Sequence, residues 1–257
     1  MDQFFAGTEY TGKPFELFGL AHLIALGLVL LFNLSFLFLR RSPNSKINQY
    51  VRYGMGVLLI TNEIMWHIWN IKTGQWSIQT TLPLHICSLF VILNSLMLFT
   101  DNYRIYEFAY FLGIGGALQS LLTPDAGMWG FPHFRFFQAM LSHGLIVSSA
   151  IYMTVVQGFR PYWSSLRRVL IGSTIYMVII FVLNFLIGSN YLFIAHKPET
   201  ASLMDVLPEW PWYILYVIAI ALLVFLLLYI PFAIKDLRKV NLDQRVNDVT
   251  SRTNPDL

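Results

Sequence analysis

The chain has one thiol. Cys87 lies in the stretch LPLHICSLF, from Leu82 to Phe90, two residues after His85 and one before Ser88. A second run, HFRFFQAMLSHG, from His133 to Gly144, carries His133, Arg135, Gln138, Ser142 and His143. Two chemistries suit such residues. In the first, Cys87 is a nucleophile and His143 the base that takes its proton, as thiol acyl-transfer enzymes require. A free thiol titrates near about 8.5, and a neighbouring imidazolium favours its anion. Attack on an ester also needs donors for the developing oxyanion, a role open to His85, Gln138 or Arg135. In the second chemistry, His67, His85, His133 or His143 join Glu63 around a metal ion. No HExxH or other fixed ligand spacing supports it, and a single cysteine excludes an intrachain disulfide and a zinc cluster of several thiolates. The expectation is therefore of neither metal nor cofactor.

Membrane helices must hold these residues. The chain is 56% hydrophobic and only 12% charged, with a mean hydropathy of +0.58, well outside the range of a soluble domain. A net charge of +3, with the basic residues in loops rather than in one patch, argues against nucleic acid as a partner. A crossing needs about 20 mostly apolar residues, because about 30 Å of hydrocarbon is covered at about 1.5 Å per residue. That ruler predicts an all-α polytopic bundle of seven transmembrane helices: Glu16 to Leu39, Asn48 to Ile71, Leu82 to Phe99, Tyr103 to Leu122, His133 to Val156, Leu166 to Phe193 and Trp212 to Ile234. Thirteen of the 17 Lys and Arg residues then fall on one side, which puts the N-terminus outside and the C-terminus inside. An odd number of crossings demands opposite termini, in agreement.

The N-terminal stretch lacks the basic opening of a secretory signal, so its first long apolar run is expected to stay in the membrane. Residues 1–234 are read as one transmembrane domain and 235–257 as a polar cytoplasmic tail, disordered in its last part. Helices 1 to 3 show no repeat in helices 5 to 7. The small residues of GIGGA, with Gly113 and Ala117 four apart, predict a close helix contact.

Those directions place the costly side chains at one level, in the outer halves of the helices. His22 enters on helix 1, Asn62, Glu63 and His67 on helix 2, His85 and Cys87 on helix 3, Gln119 on helix 4, and Gln138, Ser142 and His143 on helix 5. Charged groups in a bilayer turn inward and pair, so a polar chamber open to the outer leaflet is expected. Blander roles compete. Glu63 and His67, four apart, suit a self-contained ion pair, and His22 a packing residue. His133 and Arg135 stand near the interface, where they suit anchoring or lipid phosphate.

LPLHICS on helix 3 and HFRFFQAMLSHG on helix 5, in a seven-helix frame with the N-terminus outside, resemble the YwaF-like integral membrane proteins of bacteria. That family is similar to an animal cysteine-dependent phospholipid acyltransferase and, more remotely, to the androgen-induced lipid hydrolases, which use Thr and His. The resemblance implies a catalytic pair at Cys87 and His143, a thioester formed from a membrane phospholipid, and a place in the bacterial cell membrane. The acyl donor and acceptor stay open, as does hydrolysis. Two other readings stand beside it: a transporter whose outward chamber is one end of alternating access, and a receptor or scaffold. No protein partner is indicated.

Overall fold

The computed structural model describes residues 3–124, 127–198 and 203–253, all helix and connecting loop. Seven helices carry the fold among them: α1 (Leu20–Leu39), α2 (Lys46–Lys72), α3 (Ile86–Thr100), α4 (Tyr103–Leu122), α5 (Phe134–Val155), α6 (Trp163–Ile187) and α7 (Trp212–Thr253). Five of them, α1, α4, α5, α6 and the apolar Trp212–Arg238 part of α7, are long and apolar enough to cross a membrane. The apolar α3 is shorter, at 15 residues. The chain is a multi-pass membrane protein.

Local chemistry sets the helix ends. Ser45 caps α2 by accepting from the Asn48 N–H. Asp101, in the left-handed region at φ 53°, breaks the chain between α3 and α4, and the Asn102 side chain then caps α4 through the Arg104 and Ile105 N–H groups. Glycine at position 188, at φ 66°, stops α6. Four ends differ from the sequence expectation by four residues or more, and one is that of α6, which Gly188 stops at Ile187 rather than Phe193. Helix α1 starts at Leu20 rather than Glu16, after a turn at Phe18 with φ 57°. Helix α3 starts at Ile86 rather than Leu82, beyond Pro83. Helix α7 runs on through the expected tail to Thr253, and residues 254–257 lie outside those described.

Helix α5 is the hub. It packs on α1, α2, α3 and α4, and 78% of its most apolar stretch is buried, against 11% for α1 and α6 and 6% for α7. Small residues allow this: a Cβ on Gly144 would come within 2.8 Å of Val29, and Ser148, Ser149 and Ala150 lie fully inside. Polar cross-links meet on the same helix. Asn33 of α1 donates to Ser148 Oγ at 2.9 Å, and Asn94 of α3 to Ser149 Oγ at 2.8 Å. The glycines of GIGGA serve three neighbours. A Cβ on Gly113 would touch Phe90 and Ile146, one on Gly115 would touch Val224 of α7, and one on Gly116 would touch Ile86 and Cys87 of α3. A π-helical turn at Ala109–Gly113 ends on the first of them and shifts the register of α4.

The two ends of the bundle are built differently. At one end the N-terminal segment folds back as a strap. Three successive carbonyls, of Phe5, Ala6 and Gly7, accept from Trp69 Nε1 at 3.0 Å, His133 Nε2 at 2.9 Å and Trp129 Nε1 at 3.3 Å. Lys13 and Phe15 continue it with backbone hydrogen bonds to Gly130 and Gly127. At the other end three arginine–carboxylate pairs join the helices: Arg52 with Asp101, Arg168 with Glu107, and Arg160 with Asp236. Arg160, in the loop before α6, reaches both Asp236 oxygens at 2.7 and 2.6 Å, which holds its guanidinium above its ordinary range.

Candidate active site

Cys87 is the second residue of α3, in the first turn rather than further along the helix. First-turn N–H groups have no partner inside their helix, and α3 has no side-chain cap, because His85 at the cap position makes none. The positive end of a helix favours an anion by about 0.3–1 kcal/mol. The loop leading into this turn is pinned by two tyrosines. Tyr191 donates to the Ile78 carbonyl at 2.7 Å and accepts from the Leu82 N–H at 3.0 Å, while Tyr176 donates to the Leu84 carbonyl at 2.8 Å. The His85 ring leans on Tyr191 and Phe193, at centroid distances of 5.2 and 5.0 Å. His85 thus braces the approach to Cys87.

The Cys87 sulfur lies 3.9 Å from Ser120 Oγ on α4. Gly116, one turn earlier on α4, keeps the same wall thin, since a Cβ there would sit 3.9 Å from Cys87 Sγ. His143 is on α5, the helix against which α3 packs. Its Nδ1 is 2.8 Å from the Ala139 carbonyl, an atom that can only accept, so the proton resides on Nδ1 and Nε2 keeps its lone pair. Among the described residues no hydrogen bond joins Cys87 directly to His143.

Glu63 and Arg135 link the two. Arg135 acts electrostatically on both Glu63 and His143, and Glu63 acts on Cys87. The Arg135 guanidinium lies flat on Trp66, 3.9 Å above the ring, with one N–H on Gln138 Oε1. Asn62 donates to the Gln138 carbonyl at 3.1 Å, which ties α2 to α5 here. Glu63 faces α3 near Ser88, the residue after Cys87. Its Oε1 is buried without a hydrogen bond, with His67 Nε2 3.8 Å away. His67 Nδ1 in turn accepts from Trp76 Nε1 at 3.1 Å.

The expected polar chamber is thus brought together in part. Asn62 and Arg135 are joined to Gln138 by hydrogen bonds, Glu63 pairs with His67 and lies within electrostatic reach of Cys87, and Ser142 is buried beside His143 on α5. Other predicted residues have their own partners. His22 accepts from the Phe18 N–H at 3.1 Å and donates to the Leu121 carbonyl at 2.8 Å, between Phe15 and Phe18. His133 caps α5 by accepting from the Arg135 N–H at 3.1 Å, and its other nitrogen holds the strap. Both of its nitrogens are engaged. Gln119 is exposed at the end of α4. No three His, Cys, Asp or Glu residues gather as metal ligands among the described residues, so nothing here supports the metal chemistry.

Sequence reasoning missed Ser120 as the neighbour of the thiol, and Glu107 at the other end. Ser120 was detectable only through the one-turn spacing from Gly116, because the register of α4 depends on its π turn.

The TMEM164 family model matches residues 17–229, from just before α1 into α7. The chain belongs to the TMEM164 family. The matched region contains LPLHICS and HFRFFQAMLSHG, and therefore every residue of the site just described. Neither a curated protein nor a solved structure matches the chain. Within this TMEM164-family fold, α2, α3, α4 and α5 supply the site, while α6 supports the loop that presents Cys87 through Tyr176.

Proposed function

We propose that the chain is a membrane-embedded lipid acyl-transfer enzyme that forms a thioester on Cys87, with His143 as the base. The observation that carries this reading is the place of the single thiol in the uncapped first turn of α3. There the backbone N–H groups can receive an oxyanion. They replace His85 in the role foreseen for it, since the His85 ring packs on Tyr191 and Phe193. His143 has the tautomer a base needs, with Nδ1–H bound to Ala139 and Nε2 open.

In the first half-reaction His143 Nε2 takes the thiol proton and the sulfur attacks the ester carbonyl of a phospholipid. The carbonyl oxygen becomes an anion before the first-turn N–H groups. The lyso-lipid oxygen leaves with the proton from His143, and the acyl group stays on Cys87. A second hydroxyl then resolves the thioester: a lipid acceptor makes the enzyme a transferase, water makes it a lipase. Arg135, held flat on Trp66, is the group proposed to face a lipid phosphate. The seven-crossing topology, with the strap end outside, and the bacterial cell membrane as its location belong to this reading, as does the YwaF-like resemblance. The transport alternative would require the arginine end to open, against its three ion pairs.

Intact-mass spectrometry after incubation with mixed phospholipids tests the reading. Wild type should gain a fatty-acyl mass that hydroxylamine removes, and Cys87→Ala and His143→Ala should not. Equal lipid turnover, or none, in all three proteins would sink it.

A further inference from the structure

The geometry points to Glu63 as the base that serves the acyl acceptor, taking the proton of the hydroxyl that resolves the Cys87 thioester. This rests on the acyl-transfer reading and assigns its second half-reaction. Glu63 is only 7% exposed, and its Oε1 has no hydrogen bond. A buried acceptor oxygen without a donor is costly, and proteins seldom leave one unless a ligand or water answers it. His67 Nε2 stands 3.8 Å from this oxygen, within ion-pair range but too far for a hydrogen bond, so the oxygen still lacks a donor. His67 is also held in place by Trp76, which donates to its other nitrogen. Glu63 lies within electrostatic reach of Ser88 and of Cys87 on the facing helix α3, so the open oxygen belongs to the neighbourhood of the thiol. The missing donor is thus an O–H that arrives with the substrate.

Atoms and charges balance. As the acceptor oxygen bonds to the thioester carbon, its proton passes to Glu63. Collapse of the adduct breaks the carbon–sulfur bond and releases the Cys87 thiolate. The proton on Glu63 then moves to that sulfur, which regenerates carboxylate and thiol. His67, whose side chain is 27% accessible, marks the side from which the acceptor enters. The acceptor is a hydroxyl compound, either a lyso-lipid or water.

The test is Glu63→Gln in the full-length protein, followed by time-resolved intact mass with phospholipid as donor and added lysophospholipid as acceptor. Glutamine keeps the size and shape but cannot take a proton. Acyl-enzyme formation should stay within about threefold of wild type, which also certifies the fold, and resolution should slow about 100-fold or more. Hydroxylamine, which needs no base, should clear the trapped adduct from both proteins at equal rates. Glu63→Asp should recover part of the resolution rate. In wild type, a new diacyl lipid identifies the lyso-lipid acceptor and free fatty acid identifies water. A Glu63→Gln adduct that resolves at the wild-type rate overturns the assignment. So does loss of adduct formation in a folded Glu63→Gln, which would place Glu63 in the first half-reaction. If wild type forms neither adduct nor product, the acyl-transfer reading fails, and this assignment with it.

Discussion

Glu63 and Glu107 are the two buried carboxylates among the described residues, and the bundle treats them in opposite ways. Glu107, fully enclosed near the start of α4, accepts from Arg168 through two nitrogens, from Ser165 at 2.6 Å and from Arg104 at 3.3 Å. Both of its oxygens are served, and α4 is tied to α6 through it. Glu63 has only His67 at 3.8 Å from an oxygen that receives no hydrogen bond. A fold able to satisfy one buried acid four times over has not satisfied the other. The difference separates an acid that holds helices together from one available for chemistry.

The sharpest break of this comparison is Cys87→Ala. It should reduce acyl transfer to background while leaving thermal unfolding in detergent nearly unchanged, since the thiol contributes only packing and one long contact to Ser120. Next comes Glu107→Ala, with the opposite signature. It should destabilise the protein by about 2 kcal/mol, because Arg168 and Ser165 lose their acceptor, yet spare activity per folded molecule. Arg168 keeps some access to water, so the loss stays below that of a fully enclosed pair. By contrast Glu63→Gln should leave the unfolding temperature unchanged or raise it. A marked fall there would mean that Glu63, too, is structural.

Gly116→Leu probes the wall beside the thiol. A Cβ alone would be in ordinary contact with Cys87 Sγ, so Gly116→Ala should be well tolerated, whereas leucine should slow acyl-enzyme formation by about tenfold or more by filling the approach. Equal activity in the leucine variant would place the substrate on another side of the sulfur. The smallest expected effect is that of Asp101→Asn. Its partner Arg52 also has Tyr53, and Asp101 is well exposed, so stability should change by less than about 1 kcal/mol, measured by the same unfolding assay.

Much of this architecture was legible in the chain. Apolar length located α4 at Tyr103–Leu122, and α5 to within a residue at each end, because turns and caps bound them sharply. Cys87 and His143 stood out through scarcity and depth. What stayed hidden depends on partners distant in sequence. The start of α3 was missed because the loop before it is held by tyrosines of α6 and the loop after it, which leave no local pattern. The role of Glu107 was missed because its strongest partner, Arg168, is 61 residues away. The chamber was overfilled for a related reason. Depth says that His22 and His133 share a level with Glu63, but not that backbone carbonyls have already claimed their rings.

The strap has a consequence for how the protein is made. Ala6 finds its partner in a histidine 127 residues further along the chain. At a synthesis rate of about 5–20 residues per second, the N-terminal segment waits roughly 6 to 25 s before its seat has even left the ribosome. This segment therefore settles only after α2 and the start of α5 have been made, and its docking reports that the two have met.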